Sequence, residues 1–497
     1  MPATPSPLSI LDRYCDAFVR RAPEEIAELF AADAVFDLPL HTGRIQGREN
    51  IAREIRAALT GLKNIRIAIQ LAIEGEGGLF AEGFFESEQV GIAPRVDGTP
   101  SRLDFKFVIA MEVHSGRIAR WSEYFDTRPL KPRERARLYP ITRRSPYWNG
   151  TEQAGVSEFM VYNHVYFPLV YQHSAAEEYI ALTERVTMWD VACERQTELR
   201  GPDALKFAQY LTTRDLSAVK AGDCKYTLVC DPEGLILCDP VLLNPWEDVV
   251  WLSHGDVDLT LWARGAALHA GFEVEVREPD VAPIQVQGPR AADVLRGLVE
   301  APIDALGSYK CTVTRVAGVP AVVSRTGWSG GAGFEVFPLQ SSRAAHLWDQ
   351  LAAAGRPCGI MITGPNINRA VEKGVTDTAY YSNSGMNPYE AGHGRLVDLE
   401  KGSFIGREAL RAIALEGPKR KTVGVFIDGD IPLLEWYWPI TDQRGGSGEI
   451  RWATYSFALN RSIGIALVDA AVESGESVQI HHPSGSSAAI VTQLPFV

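Results

Sequence analysis

A proline-rich and arginine-rich stretch divides this chain of 497 residues into two unequal parts. Its prolines are Pro129, Pro132, Pro140 and Pro146. Because proline has no backbone N–H and fixes φ, no continuous helix is expected to cross this stretch. The chain is also longer than the roughly 250 to 300 residues at which a single core stops growing. We therefore predict domains at 1–126 and 156–415, a linker at 127–155 and a strand-rich C-terminal domain at 416–497.

The first part changes its hydrophobic period from that of helices to that of strands. Leu11, Tyr14 and Phe18 form one apolar stripe, which predicts a helix over 8–21. Another helix is predicted near 48–60. Apolar residues then alternate with polar ones along a predicted strand. One face of that strand carries Leu103, Phe105, Phe107, Ile109 and Met111.

Helices followed by long strands, with the phrases AELFAADAVFDLP and GRIARWSEYFD, resemble the SnoaL-like branch of the NTF2-like fold. The resemblance covers residues 8–126 and implies an α+β cone, in which a curved sheet wraps around helices. This fold alone does not give an activity, because one fold hosts many functions.

Two groups in this first domain are candidates for a pocket. Asp37 and His41 lie four residues apart in FDLPLH. Glu123 shares a predicted strand face with Trp121 and with the phenylalanine two residues later. Burial among aromatic rings would raise the pKa of this acid. Two roles remain open for this domain. It either moves a proton on a bound ligand, or it has a structural role, in which it dimerises the chain or supports the cleft.

Six phrases in the second part occur in a fixed order. They are YNHVYFPLVY (162–171), MWDVACERQTELRGPDA (188–204), DPEGLILCDPVLL (231–243), TGWSGGAGFEVF (326–337), GPNINRAVEKG (364–374) and NPYEAGHGRLVDLEKGSFIGREAL (387–410). Together they resemble the glycine-cleavage T-protein superfamily, and specifically its dimethylsulfoniopropionate demethylase-like and aromatic O-demethylase-like branches. The fold class expected for the whole chain is therefore α+β and multidomain: the cone, then a three-domain cloverleaf ending in a β-barrel-like domain.

The resemblance implies tetrahydrofolate as cofactor, standing in the central hole of the cloverleaf. Glu335 would accept hydrogen bonds from the 2-amino and N3 edge of the pterin, since a planar donor pair suits a rigidly held carboxylate. Tyr226 and Trp189 would border the same cleft, where aromatic rings can stack on the pterin or cage a cation. Asn366 either caps a helix or lines the folate pocket. Arg369 either contacts folate or pairs with the glutamate three residues on.

The chain departs from the aminomethyltransferase pattern at the residues that hold the amine. Two adjacent aspartates in that family align with Leu237 and Cys238, and Asp239 follows one place later. This departure counts against glycine cleavage and favours a different donor of a methyl or hydroxymethyl group. A sulfonium or quaternary ammonium donor needs no acid, whereas an aryl ether does. The candidates for that acid are Tyr226, Asp239, Tyr166 and His164.

Three functions remain open from the sequence. The first is a tetrahydrofolate-dependent methyltransferase, or demethylase, for a small methylated compound such as a lignin-derived aromatic. The second is a formaldehyde-releasing carbon–carbon lyase, which removes a hydroxymethyl group by a retro-aldol reaction. The third is a non-catalytic folate-binding protein.

Composition restricts the partners and the compartment. The net charge of -13 argues against nucleic acid as a partner. Seven cysteines are spread along the chain without a zinc-binding pattern, which favours a reducing compartment. We expect a cytoplasmic protein with no metal and no membrane span, acting on a small-molecule donor. A homo-oligomer is also expected, because NTF2-like cones often pair through their sheets.

Overall fold

The computed structural model describes residues 5–38, 44–75, 77–89, 102–125, 142–381, 385–434 and 436–497. The chain forms two compact units, Met1–Pro140 and Ile141–Val497. Among the described residues, no helix combines the length and apolarity needed to cross a bilayer.

The N-terminal unit combines helices with one antiparallel-rich sheet. Its described elements are α1 (Pro7–Val19), α2 (Pro23–Glu28), β1 (Phe30–Asp37), β2 (Ile45–Gln46), α3 (Arg48–Thr60), β3 (Leu62–Gly75), β4 (Gly78–Gln89), β5 (Arg102–His114) and β6 (Arg117–Phe125). The helix α1 begins at Pro7, where the missing N–H costs nothing, and the Ser6 side chain accepts a bond from the backbone N–H of Ser9. The predicted helices over 8–21 and 48–60 are confirmed.

The sheet of this unit has the strand order β2-β1-β6-β5-β4-β3. On β5 the face predicted from the alternation is confirmed: it packs into one core with the apolar stripe of α1. Residues directly opposite each other on neighbouring strands share a face. Ile109 therefore lies beside Glu123, and Met111 beside Trp121, on the side covered by helices.

The second unit is longer and contains several sheets. Its first described elements are β7 (Arg143–Arg144), α4 (Trp148–Gln153), β8 (Glu158–Tyr162), β9 (Val165–Val170), α5 (Ala175–Glu184), β10 (Val186–Asp190), β11 (Arg195–Arg200), α6 (Ala204–Leu211), β12 (Asp223–Tyr226), β13 (Val229–Cys230), β14 (Ile236–Cys238), β15 (Val241–Trp246), β16 (Val249–His254), α7 (Leu259–Ala270), β17 (Glu275–Arg277) and β18 (Ile284–Gln287). They are followed by α8 (Ala291–Leu295), β19 (Cys311–Val316), β20 (Val319–Ser324), β21 (Gly333–Pro338), α9 (Ala344–Gly355), β22 (Ile360–Ile362), α10 (Ile367–Glu372), α11 (Thr378–Tyr381) and α12 (Arg407–Glu416).

Two sheets position the residues of interest, the first mixed and the second antiparallel. One has the order β19-β20-β21-β18-β10-β22, and the other has the order β12-β15-β16-β11-β17. The chain passes between them repeatedly, so residues that are distant in sequence meet where the two sheets approach. Among them are the end of β12 and the centre of β21, and the end of β14, which pairs with β13 in a separate two-stranded sheet, lies beside β12.

The C-terminal part closes into a barrel. Its strands are β23 (Arg420–Ile427), β24 (Trp438–Asp442), β25 (Ser447–Ser456), β26 (Arg461–Asp469), β27 (Ser477–His482) and β28 (Gly485–Thr492). They pair in the order β23-β26-β25-β24-β27-β28 around a ring, which removes exposed strand edges. The predicted barrel-like domain is confirmed.

The stretch predicted as a linker is partly folded. Residues 126–141 lie outside the described part of the chain, but α4 follows soon after the last proline. Trp148 is buried and stacks on Phe159 at 4.3 Å between ring centroids, and Tyr147 packs against Trp348. Aromatic burial therefore ties the end of this stretch to the second unit, which a reading of its prolines alone does not show.

Candidate active site

Asp239 lies at the centre of the candidate site, immediately after β14. The hydroxyl of Tyr226 donates to one carboxylate oxygen at 2.8 Å, and the hydroxyl of Thr378 donates to the other at 2.6 Å. Burial, and then the negative charge of Asp377, raise the pKa of Asp239 to about 7. Two hydroxyls therefore orient a carboxyl that exchanges a proton near neutral pH.

The ring of Tyr226 packs edge-on against the imidazole of His393, with centroids 5.9 Å apart. The Tyr381 hydroxyl lies 2.6 Å from Nε2 of His393 and 2.9 Å from the hydroxyl of Thr376. Burial lowers the pKa of His393 to about 4, so this imidazole is neutral at pH 7. The wall beside Asp239 consequently carries no positive charge from this histidine.

Glu335 lies on β21 and is held by its neighbours. Gln285, on the adjacent strand β18, donates to it at 2.7 Å. Thr326 donates to the other oxygen, and Ser324 lies 3.4 Å from the same oxygen. An ionised carboxylate has about four acceptor sites. Glu194 shares a further hydrogen bond with this carboxyl, so four side chains surround it.

Glu194 lies close to Glu335, and the two carboxyls share a hydrogen bond. Burial raises both pKa values, and the charge of Glu335 raises that of Glu194 further. Asp239 and Asp377 act on Glu194 in the same direction. Four carboxyl groups therefore lie within electrostatic reach of one another.

We call Glu194, Asp239, Glu335 and Asp377 the carboxyl chamber. Glu194 and Asp239 are half-buried, and burial raises the pKa of both. Within the described residues, none of Glu194, Asp239 and Glu335 forms a salt bridge with lysine or arginine. Burying like charges without counter-charge is unfavourable, and a cation brought in from outside would relieve it.

A cavity of about 470 Å³ opens beside Tyr226. Its lining is mostly positively charged, whereas the carboxyl chamber contains acids. Its cationic lining residues are Arg214, Lys225, Lys310 and Arg395, against one acid, Asp223, which pairs with Lys310. Tyr309 lines it too, and both Glu335 and Arg214 affect the pKa of that tyrosine. The cationic cavity thus adjoins the carboxyl chamber.

The structure brings together some of the residues predicted as catalytic. Tyr226 and Asp239 are in direct contact. Tyr166 is buried, and its ring meets Trp148 edge-on at 5.9 Å. His164 lies in a turn with its side chain 45% exposed, 3.9 Å from Asp258. The structure therefore places Tyr166 in the core and His164 at the surface.

The structure also places the residues predicted at the cofactor in different surroundings. Trp189 is fully buried in an apolar cluster that Tyr162 and Trp328 flank. Its indole N–H has no partner among the described residues. Asn366 is the N-cap of α10, and its side chain accepts from the backbone N–H of Arg369 at 2.9 Å.

Arg369 forms the ion pair anticipated from its spacing, 3.3 Å from Glu372. Glu372 has no exposed surface and accepts from the hydroxyls of Tyr179 at 2.6 Å and Ser456 at 2.7 Å. These bonds link α10 to α5 and to the barrel. The geometry around Arg369 is that of a structural ion pair.

Sequence reasoning missed Glu194, Gln285, Asp377 and Thr378. Glu194 stands in the phrase VACERQTEL, where a charged residue interrupts a buried run between two strands. That interruption is a usable signal. Gln285 and Thr378 give no comparable signal, because only the sheet order and the placement of α11 bring them to the carboxyls.

The N-terminal unit contains the other predicted pocket residues. The indole N–H of Trp121 donates to Glu123 at 3.3 Å. Burial raises the pKa of Glu123 to about 7, as predicted. Asp37 lies 3.3 Å from Arg44 and 3.5 Å from Arg120, within an ion-pair network. His41 lies outside the described residues.

Comparison with known proteins identifies the parts of the chain. The family models that match are the GCVT N-terminal domain at 148–401, the glycine cleavage T-protein C-terminal barrel domain at 420–497 and the SnoaL-like domain at 11–121. The first of these spans more than half of the chain.

Curated relatives cover the same second unit. Dimethylsulfoniopropionate demethylase DmdA of Ruegeria pomeroyi is 34% identical over 70% of this chain and 96% of its own length. An aminomethyltransferase of Moorella thermoacetica is 31% identical over 71% of this chain and 97% of its own length. The crystal structure of glycine cleavage system aminomethyltransferase T from Bartonella henselae has a TM-score of 0.64 at 22% identity, covering 71% of this chain and 98% of that one, which shows a shared fold.

The resemblance predicted from the six phrases and the cone is confirmed, as is the α+β multidomain fold with an NTF2-like N-terminal unit. These relatives also confirm the enzyme class and the cofactor. The chain is therefore a tetrahydrofolate-dependent one-carbon transferase that belongs to the glycine cleavage T-protein family and carries a SnoaL-like domain in front of it.

Proposed function

We propose that this enzyme demethylates a small, positively charged methyl donor and passes the methyl group to tetrahydrofolate. The carboxyl chamber is the observation that carries the proposal. A sulfonium or quaternary ammonium group would supply the positive charge that Glu194, Asp239 and Glu335 lack. The rings of Tyr226 and Tyr162 lie beside these acids, and ring faces attract cations.

The relative DmdA supports this choice, because the substrate in its name is a sulfonium compound. A methoxyaromatic donor, such as a lignin fragment, is the second candidate. The protonated form of Asp239 favours it, since a pKa of about 7 allows this carboxyl to protonate a departing phenoxide. The two donors require opposite protonation states of the same residue.

The residues near Glu335 fit a pterin. Its carboxylate is fixed on a strand by Gln285 and Thr326, and a planar pair of N–H donors would replace its contacts with Ser324 and Glu194. The cationic cavity beside it fits the negatively charged glutamate tail, because Arg214 and Arg395 line the side nearest Tyr309. Tetrahydrofolate supplies the N5 nitrogen that accepts the methyl group.

For a cationic donor, Asp239 acts as a general base. It removes the proton that N5 carries when the new carbon–nitrogen bond forms, and the donor leaves with the electrons of its old bond to carbon. Tyr226 and Thr378 hold the carboxylate in one orientation by donating to its two oxygens. Asp239 is enclosed by protein, and burial strengthens these electrostatic effects.

The defining experiment incubates the purified protein with tetrahydrofolate and one donor at a time. The panel contains dimethylsulfoniopropionate, glycine betaine, vanillate and a hydroxymethyl-bearing aromatic compound. We expect 5-methyltetrahydrofolate from a cationic donor. Formation only from vanillate selects the aromatic alternative, and release of formaldehyde without folate selects the lyase. Folate binding without any product selects the non-catalytic alternative.

Glu335→Gln should weaken tetrahydrofolate binding by about 10-fold to 100-fold, because the amide replaces one charged acceptor by a donor that faces the pterin donors. Isothermal titration calorimetry measures the change. Glu275→Gln, at an exposed position on β17, is the matched control and should bind normally. Equal affinity of Glu335→Gln and the native protein would remove Glu335 from the folate site.

The cationic cavity predicts a dependence of affinity on the length of the folate tail. Four cations against one acid exceed the two negative charges of a single glutamate. The triglutamate form should therefore bind at least fivefold more tightly than the monoglutamate, and added salt should reduce the difference. Lys225→Gln should reduce this preference, whereas Lys220→Gln, outside the cavity lining, should preserve it. Equal binding of both forms by the native protein would contradict this assignment.

A further inference from the structure

Gln285 joins two acids of the carboxyl chamber. Its side-chain nitrogen donates to Glu335 at 2.7 Å and to Glu194 at 3.4 Å. Its side-chain oxygen accepts from the backbone N–H of Trp328 at 3.4 Å, so the nitrogen is the end of the amide that faces the acids. Gln285 is buried, and the two carboxyl groups also share a hydrogen bond with each other. One amide therefore holds two acids in contact.

A hydrogen bond between two carboxyl groups requires a proton on one of them. Two ionised carboxylates in contact repel each other, and a nearby cation would be needed to hold both charges. Among the described residues, neither Glu194 nor Glu335 forms a salt bridge with lysine or arginine. The pair therefore carries one proton between its two acids.

The number of hydrogen-bond donors decides which acid keeps this proton. Glu335 accepts from Gln285 at one oxygen, and Thr326 and Ser324 lie at the other, which favours the ionised form. For Glu194 the long bond from Gln285 is the one side-chain donor described. Glu194 is therefore the protonated acid, and it donates to Glu335.

The surroundings of Glu194 agree with this assignment. Burial, and then the charge and hydrogen bond of Glu335, raise the pKa of Glu194. The other titratable groups that face it are Asp239, Asp377 and Cys193. The two aspartates raise the pKa of Glu194 further, and burial keeps the Cys193 thiol protonated. Every group in this set is an acid, so none of them supplies a positive charge to an ionised Glu194.

Tetrahydrofolate would separate the two acids. The planar pair of N–H donors on the pterin takes the place of Glu194 at the carboxylate of Glu335. Glu194 then loses the acceptor that stabilises its proton, so its pKa falls. A cation that binds next replaces this proton, which passes to solvent, and forms an ion pair with the carboxylate.

We propose that Glu194 binds the positive charge of the methyl donor once tetrahydrofolate has displaced it from Glu335. This inference rests on the function proposed above and adds an order of binding, in which folate enters first and the donor second. Without folate, the cation has to break the bond between the two acids and leave two carboxylates side by side. With folate, the pterin already occupies Glu335, so the cation binds more tightly.

The first test measures the binding of tetrahydrofolate alone as a function of pH. Because the pKa of Glu194 is lower in the complex than in the free protein, the complex holds fewer protons, and the affinity should rise with pH. We expect an increase of about threefold between pH 6 and pH 8 by calorimetry. Glu194→Gln can still donate to Glu335 but cannot ionise, so it should lose this increase. Glu275→Gln, on β17, should keep it.

The second test measures whether folate strengthens donor binding. Folic acid is used, because it presents the same 2-amino and N3 edge to Glu335 without accepting a methyl group. Saturating folic acid should tighten the binding of dimethylsulfoniopropionate by about tenfold. Protons should be released, seen as a heat that differs between phosphate and Tris buffers. In Glu194→Gln the donor affinity should be the same with and without folic acid, whereas Glu194→Asp, which keeps a carboxyl group, should retain part of the tightening.

The outcomes separate this inference from the proposed function. Equal donor affinity with and without folic acid in the native protein would overturn the inference, as would tightening that persists unchanged in Glu194→Gln. A tetrahydrofolate affinity that does not change with pH, together with product formation from dimethylsulfoniopropionate, would remove Glu194 and leave the proposed function intact. Failure of every onium donor to bind or react, with a pH dependence of folate binding that Glu194→Gln removes, would instead exclude the cationic donor and support the displacement of Glu194 by folate.

Discussion

Replacing Asp239 by Asn should reduce methyl transfer about 10²-fold to 10⁴-fold while leaving the fold intact. The amide has the shape of the carboxyl group but cannot remove a proton. Tyr226 and Thr378 each donate one hydrogen bond to Asp239. The amide oxygen of asparagine can still accept one of these two bonds. Rapid-quench assays of 5-methyltetrahydrofolate formation measure the loss, and folate affinity should change much less than the rate.

The pH dependence identifies which form of Asp239 reacts. The pKa of this carboxyl is about 7, so a general base is active above pH 7 and loses activity as the pH falls through it. A general acid shows the reverse. We expect the rate with a cationic donor to rise with pH, with a midpoint near 7, and the rate with a methoxyaromatic donor to fall.

Two substitutions of Thr378 test this assignment, Thr378→Val as the change and Thr378→Ser as its matched control. Thr378→Val preserves the side-chain shape and removes a hydrogen bond to the ionised form of Asp239, so the midpoint of the pH profile should move to higher pH. Thr378→Ser should keep the native midpoint. Retention of more than a tenth of the activity in Asp239→Asn, or an unmoved midpoint in Thr378→Val, would exclude Asp239 as the proton-transferring residue.

Glu372→Ala should lower the free energy of unfolding of the second unit by about 3–5 kcal/mol. The side chain is fully buried, and its loss leaves the hydroxyls of Tyr179 and Ser456 and the Arg369 guanidinium without their shared acceptor. Each buried donor left unpaired costs about 1–3 kcal/mol. Differential scanning calorimetry measures the decrease.

Two further variants make this result specific. Glu408→Ala removes an ion pair from a side chain that is 74% exposed, and it should change stability by less than about 1 kcal/mol. Glu372→Gln retains one acceptor and should fall between the two. If Glu372→Gln stays stable but loses folate affinity, then Arg369 and Glu372 belong to the folate site rather than to the framework.

The elements of the cone and the family of the second unit could be predicted from the chain because local patterns specify them. The stripe of Leu11, Tyr14 and Phe18 and the alternation along β5 depend only on helix and strand periods. The six collinear phrases likewise need no coordinates. Asp239 was found because it stands in one of those phrases, and Tyr226 because the family resemblance implies an aromatic residue at the folate cleft.

Local sequence patterns could not show which residues come together in the candidate site. Gln285 reaches Glu335 because β18 pairs with β21, and Thr378 reaches Asp239 across 139 positions of sequence. Tyr166 and His164 stand in a family phrase as well, yet one lies in the core and the other at the surface. Spacing along a chain does not indicate which of several polar residues shares an enclosed volume.

By itself, the sequence determined several helices and strands of the cone and the family to which the larger part of the chain belongs. The tertiary structure alone decided that four carboxyl groups share one chamber beside a cationic cavity. The physical reason is that periodicity is a property of neighbouring residues, whereas the charge and pKa of a buried group depend on every element packed around it.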